Sequence, residues 1–351
     1  MQGGMQSSVS AISYASACGS ARHAVGMKGN LNEATRDRVV TIRTFRPGDE
    51  ASQLAIYNTA AAELPSFKPA TLIELQRRIR ARDFDPSTRL YAEEGGEVVA
   101  YAVFHPNGRV SYPWTLPGAE QWREPLFEAQ LAAMKLKNLP RAFAAYRADW
   151  PTQREFFLTR GFRHARDMVN FIADFNDLPT APTMMQTPAA IEPSDVPDVF
   201  DMAPGLFRVD AQGLHDHLFR NPYFGKDSLF GLRRKTNGKL AAAAILVIEP
   251  QYADPLAIDP AMPCFRLGAF GTEGMQVKRI NGMFSFVAPL DRSLMGMGIE
   301  LVGIAAERLQ DRSESFTLAA QCPSDVPALL NFYDRNFRRQ ASFPVFERDL
   351  T

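Results

Sequence analysis

The stretch with the plainest chemical meaning is Pro289-Leu290-Asp291-Arg292-Ser293-Leu294-Met295-Gly296-Met297-Gly298. Two glycines one residue apart precede an apolar run that reads as a helix from Gly298 to Leu309. A phosphate needs backbone N–H groups aimed at it from a helix N-terminus, and glycine lets the backbone come close. A glycine turn of purely structural purpose is the alternative. His215-Asp216-His217 offers imidazoles, but two histidines two apart do not share a helix face, so a metal pair is not expected. Cys18, Cys264 and Cys322 are isolated and odd in number, which suggests neither a disulfide framework nor a zinc site. No GxSxG elbow, HExxH, Walker loop or GxGxxG followed by an acidic residue is present.

The elements around these residues repeat. Val39 to Phe45 alternates like a strand, a helix follows from Ser52, and a second opens at Pro69-Ala70-Thr71. A hairpin comes next, Thr88 to Glu93 and Val98 to Phe104 about Glu94-Gly95-Gly96-Glu97. Then come a strand near Arg109 to Trp114, a helix from Glu124 to Lys137, a strand from Arg141 to Tyr146, a helix from Gln153 to Thr159 and a strand at Phe171 to Ala173. Residues 176 to 189 hold three prolines and little periodicity, as a linker does. After Ala190 the order recurs, with a hairpin of Ser228 to Arg233 and Leu240 to Glu249. An added stretch, Gln251 to Gly274, precedes a central strand from Gly282 to Ala288. A strand at Ser315 to Ala320, a helix at Val326 to Tyr333 and a strand at Ser342 to Phe346 close the chain. A repeat of whole-domain size means duplication.

This order resembles the GNAT acyltransferase domain. Phe156-Phe157-Leu158-Thr159-Arg160-Gly161-Phe162 looks like the family's aromatic–glycine signature, with Gly161 as the left-handed helix end. Asn331-Phe332-Tyr333-Asp334-Arg335-Asn336-Phe337 repeats it one residue short, leaving Asn336 for the left-handed role. The Gly296–Gly298 stretch resembles the family's Q/R-x-x-G-x-G/A loop. Arg292 stands four residues before Gly296 instead of three, so either the loop holds an extra residue or Ser293 takes the first position. The matching stretch of the first copy, Pro117 to Pro125, lacks the glycine pair and carries Glu120 and Glu124 where a pyrophosphate would lie.

The resemblance implies an α/β (α+β) fold of two tandem GNAT-like domains, each a mixed, mostly antiparallel sheet flanked by helices. The expected division is a disordered tail over 1–38, with Met27 as a candidate start, a degenerate domain over 39–175, a linker over 176–189 and a cofactor-holding domain over 190–351. It implies an acetyl-CoA-dependent N-acyltransferase acting on an amine of a small molecule or peptide. Phe286, Val287 and Ala288 would meet the pantetheine arm, and Arg292, Ser293, Gly296, Met297 and Gly298 the phosphates. Tyr333 would protonate the departing thiolate, with Phe332 as the other occupant of that slot. Glu273 is the candidate to receive the amine proton. The same residues leave open a catalytically inactive pair that senses acyl-CoA or serves as an interaction scaffold.

The totals agree with this reading. The chain has 351 residues, enough for two domains, with 46% hydrophobic and 22% charged residues. Lysine plus arginine and aspartate plus glutamate both number 39, which argues against a nucleic-acid partner. No apolar run is long enough to span a membrane. The expectations are therefore acetyl-CoA as cosubstrate, no metal, an amine acceptor, no nucleic acid, no membrane, a cytoplasmic location and a monomer or homodimer.

Overall fold

The computed structural model describes residues 40–65, 67, 69–80, 84–178, 187–203, 206–207, 210–220, 224–225, 227–248, 282–312 and 317–351. The N-terminal tail, most of the linker, the added stretch after the second hairpin and Glu273 lie outside them.

The first half opens with β1 (Val40–Thr44), α1 (Asp49–Ala60) and α2 (Leu72–Ile79). The hairpin β2 (Arg89–Glu94) and β3 (Glu97–Val103) turns at Gly95 and Gly96, both at positive φ. Then follow β4 (Trp114–Thr115), α3 (Arg123–Leu136), β5 (Arg141–Ala145), α4 (Pro151–Leu158) and β6 (Arg163–Asp174). The second half runs β7 (Thr187–Ala190), α5 (Val196–Met202), α6 (Ala211–Phe219), β8 (Leu229–Arg233), β9 (Leu240–Val247) and β10 (Met283–Val287). It ends with α7 (Leu294–Arg312), β11 (Thr317–Pro323), α8 (Pro327–Asn336) and β12 (Arg338–Asp349). Proline at the start of α4 and of α8 suits a first helical turn, where an N–H would have no helical acceptor.

The strands form a sheet in the order β1-β2-β3-β4 and a larger one in the order β5-β12-β6-β11-β10-β9-β8-β7. Among the described residues, all pairs of these named strands are antiparallel except β10 with β11. The last strands of the two halves are exchanged. β12, from the end of the chain, pairs with β5 of the first half, and β6 pairs with β11 of the second. β12 and β6 also pair with each other, which joins the two copies through one sheet.

The cores follow the exchange. Phe346 and Leu350 pack with Tyr57, Trp114, Phe127 and Phe157 of the first copy. Val169, Phe171 and Ala173 of β6 pack with Phe230, Phe286, Leu301 and Tyr333 of the second. Arg166 and Arg141 reach Glu347 from either side, at 2.6 and 3.0 Å, so an ionic row ties β12 into place. Stretches drawn along the chain therefore do not coincide with the packing units. A strand with one buried face goes wherever that face finds a core and its edges find partners.

Candidate active site at the splayed strands

Each copy has one strand that starts beside a parallel neighbour and then leaves it. In the second copy β10 meets β11 only at Met283 and Ala319, with the Ala319 N–H donating to Gly282 O at 3.1 Å. In the first, Arg109 and Phe143 form the parallel bridge and the Phe143 N–H donates to Gly108 O at 2.9 Å. Gly108 and Gly282 hold φ at 89° and 111°, and a Cβ on either would strike a backbone carbonyl oxygen of the neighbouring strand region. Only glycine supplies that backbone with no side chain. Gly108-Arg109-Val110-Ser111-Tyr112 thus superposes in role on Gly282-Met283-Phe284-Ser285-Phe286.

Beyond the gap, Phe143–Phe157 and Ala319–Tyr333 align without insertion. Contacts support this register. Tyr112 meets Phe156 edge-on at 4.9 Å, and Phe286 meets Phe332 at 4.8 Å. Phe157 meets Phe162 at 5.1 Å, and Tyr333 meets Phe337 at 5.1 Å. Tyr333 is thus the counterpart of Phe157 and Phe332 that of Phe156, and the missing residue falls after the tyrosine. Asn336 does not take the left-handed conformation, because among the described residues the positive-φ non-glycine is Asn138. Its side chain caps the helix instead, donating to Phe332 O at 2.8 Å, and Phe337 continues as extended backbone.

Tyr333 is fully buried, stacked on Phe171 at 5.4 Å and packed against Phe286. Its hydroxyl completes no hydrogen bond among the described residues. Burial holds its pKa well above the usual tyrosine range, the nearby Cys322 thiol adds to this, and the Phe286 backbone N–H weakly opposes it. Cys322 itself is buried, and burial pushes its thiol up to about 12.

The mouth of the site differs from the sequence expectation in one respect. α7 begins at Leu294, four residues earlier than the glycine spacing suggests, so Met295, Gly296 and Met297 lie in its first turn. Asp291 makes this start: its carboxylate accepts from the Ser293 N–H at 2.8 Å and from the Ser293 hydroxyl at 2.6 Å. Those bonds hold the exposed Asp291 carboxyl below its usual pKa. The Leu294 N–H goes to Asp291 O, and Met297 N–H to Ser293 O. The amides of Met295 and Gly296 are then the ones that the first turn leaves without a helical acceptor.

The two glycines serve different ends. A Cβ on Gly296 would meet nothing within 4 Å, so the space before it is open. A Cβ on Gly298 would lie 2.5 Å from Phe332 and 2.9 Å from Phe286, so this glycine is demanded by packing. Arg292 is exposed at the mouth, while Phe286, Val287 and Ala288 are buried along the gap. The structure brings Phe286, Ala288 and Tyr333 into one core, against which Gly298 packs, and puts Val287 into another with Leu229 and Ala243. His215 stands apart on α6, beside Asp216 at 3.2 Å.

The first copy closes the same places. Tyr146 Oη accepts the Tyr112 N–H at 2.5 Å. Pro125, with no N–H to offer, sits in the first turn of α3, next to Glu124, which pairs with Arg160.

The comparisons bear on this arrangement. No family model matches the chain. Over 63 residues it is 46% identical to a mycothiol acetyltransferase of Streptomyces bingchenggensis, which is 18% of this chain and 20% of that protein. The match thus spans about a fifth of the relative's length. A GCN5-related N-acetyltransferase from Sphaerobacter thermophilus superposes with TM-score 0.56 at 12% identity, over 89% of this chain and 96% of that one. A glucosamine N-acetyltransferase region of a fungal multi-domain beta-N-acetylglucosaminidase gives 0.62 at 16% identity, over 91% and 39%. A tandem GNAT protein from the clavulanic acid biosynthesis pathway gives 0.50 at 14%, over 89% and 99%. The chain has the tandem GNAT fold. Within this tandem GNAT fold, Cys322 and Val326, which share the core of Tyr333, and Asp291, which binds Ser293, are neighbours of the candidate residues that motif spacing missed. The gap-free match of the two halves was the signal for the first two; Asp291 needed the position of the helix start.

Proposed function

We propose that the protein is an acetyl-CoA-dependent N-acyltransferase whose second copy holds the cosubstrate. The observation that carries this is the pairing of the Met295 and Gly296 amides, which have no helical acceptor, with open space around the exposed Gly296, on a helix that Gly298 seats against Phe286 and Phe332. Helix N-termini of this kind suit phosphate. The acetyltransferase names of relatives and of fold neighbours support acetyl as the group moved.

In this reading acetyl-CoA supplies the acyl carbon as a thioester. The Met295 and Gly296 amides hold the phosphates, and Arg292 and Ser293 flank them. The backbone of Phe286, Val287 and Ala288 aligns the arm. The amine nitrogen forms its bond to the acyl carbon, the carbon–sulfur bond breaks, and the thiolate takes the Tyr333 proton. A tyrosine whose pKa is raised stays protonated at neutral pH, as a donor must. Glu273, outside the described residues, is the proposed acceptor of the amine proton. The carboxylate of Asp291 stands against ligand charge at the mouth, but it is already engaged with Ser293.

Calorimetry with acetyl-CoA, followed by thiol release with a panel of amines, tests the proposal. Binding with turnover supports it. Absence of binding at millimolar acetyl-CoA overturns it. Binding without turnover on any amine favours the sensor reading, whose motive in the structure is that the Tyr333 hydroxyl is fully enclosed.

A further inference from the structure

The internal match of the two halves places three large aromatics of the first copy opposite three small residues of the second. Trp114 faces Ala288, Tyr146 faces Cys322, and Trp150 faces Val326. In the first copy these aromatics are buried and bridge the splayed strands continuously. Trp114 lies 5.1 Å from Tyr112 and 6.5 Å from Trp150, and Trp150 lies 6.1 Å from Tyr146, which stacks on Phe157 at 5.8 Å. The indole N–H of Trp150 is fixed to Pro65 O at 2.9 Å. Tyr146 completes the closure by taking the Tyr112 N–H. With its N–H taken by Tyr146, Tyr112 has no backbone donor left for a ligand's carbonyl.

We infer that Trp114, Tyr146 and Trp150 form a built-in plug that excludes acyl-CoA from the first copy, and that Ala288, Cys322 and Val326 are the specificity-determining positions that leave the second copy able to admit it. The inference rests on the proposed function for the identity of the ligand. Its own content is which residues set the stoichiometry. At the second gap the amide counterpart of Tyr112 is that of Phe286, which faces the Tyr333 hydroxyl of α8. Cys322, in the core beside Tyr333, carries no bulk comparable to Tyr146.

The experiment is acetyl-CoA titration calorimetry of the full chain and of Cys322→Tyr and Ala288→Trp, with a thermal melt of each. The expected result is one molecule bound per wild-type chain and at least a hundredfold weaker binding in Cys322→Tyr and Ala288→Trp. A wild-type stoichiometry of two overturns the plug without any variant. One site in the wild type that persists unchanged in a folded Cys322→Tyr overturns the assignment of Cys322 while leaving the proposed function standing. No binding by the wild type overturns the proposed function and this inference with it. Should the bulky variants melt early, the smaller steps Cys322→Val and Ala288→Val supply the second measure. Weaker binding of acetyl-CoA by the folded variants supports the placement of these positions along the ligand, and unchanged binding overturns it.

Discussion

Gly296→Glu separates the two purposes that a glycine at a helix start can have. A Cβ there meets nothing within 4 Å, so the new side chain has room. It also lies in the first turn of α7, where a carboxylate gains about 0.3–1 kcal/mol from the helix dipole. Replacing glycine within a helix adds roughly 0.5–1 kcal/mol more. The melt should therefore stay level or rise by about 1–4 °C. Binding should move the other way. A carboxylate about 5 Å from a ligand group of charge about −2 costs from ~2 kcal/mol at the dielectric of water to ~7 kcal/mol at an effective dielectric of about 20. At low ionic strength the affinity for acetyl-CoA should fall by at least about twentyfold, and the loss should shrink as salt is raised. Calorimetry and a thermal melt on the same samples give both numbers. Affinity within about threefold of wild type would refute the phosphate reading of this turn. A melt lowered by many degrees would show that Gly296 is a structural glycine.

Gly298→Ala should do the opposite: the methyl would press on Phe332 and Phe286, costing about 1–3 kcal/mol against a helix gain of roughly 1 kcal/mol, so a chemical melt should show net loss or no change. Tyr333→Phe removes a buried hydroxyl that completes no hydrogen bond, so stability should hold or rise, while turnover falls by about a hundredfold with little change in KM. Cys322 has its pKa raised from about 9 to about 12 in the folded chain, so its stabilising neutral form is fully effective below pH 9 and is lost as pH rises toward 12. Between pH 9 and about 10.5 the wild type should lose roughly 2 kcal/mol more than Cys322→Ala in urea titrations; equal slopes would refute this. Deleting residues 338–351 should unfold the first copy, because β12 completes its sheet and Phe346 and Leu350 its core. All three tryptophans, Trp114, Trp122 and Trp150, lie in that copy, so a red-shifted emission after a cut at the far end of the chain is the expected signal.

Local patterns carried much of the architecture. The hairpin turns at Gly95-Gly96 and at Asn237-Gly238, the alternation of apolar residues and the proline starts of α4 and α8 act within a few residues, and they made the duplication legible. The aromatic pair of each late helix could be read for the same reason. The start of α7 could not, because it depends on Asp291 folding back onto Ser293 and not on the glycines that follow. Nor could the roles of the glycines be told apart: Gly296 and Gly298 look alike in the chain, and only the position of Phe332 makes one of them obligatory.

What the amino-acid order determined by itself is the pair of related halves, their element types and the unequal loops, one with a glycine pair and one with Glu120 and Glu124. What only the tertiary structure decided is the exchange of β6 and β12 and the filling of one gap by Trp114, Tyr146 and Trp150. Strand pairing and gap packing join residues far apart along the chain, and their energies come from burial against partners that no short window of sequence contains.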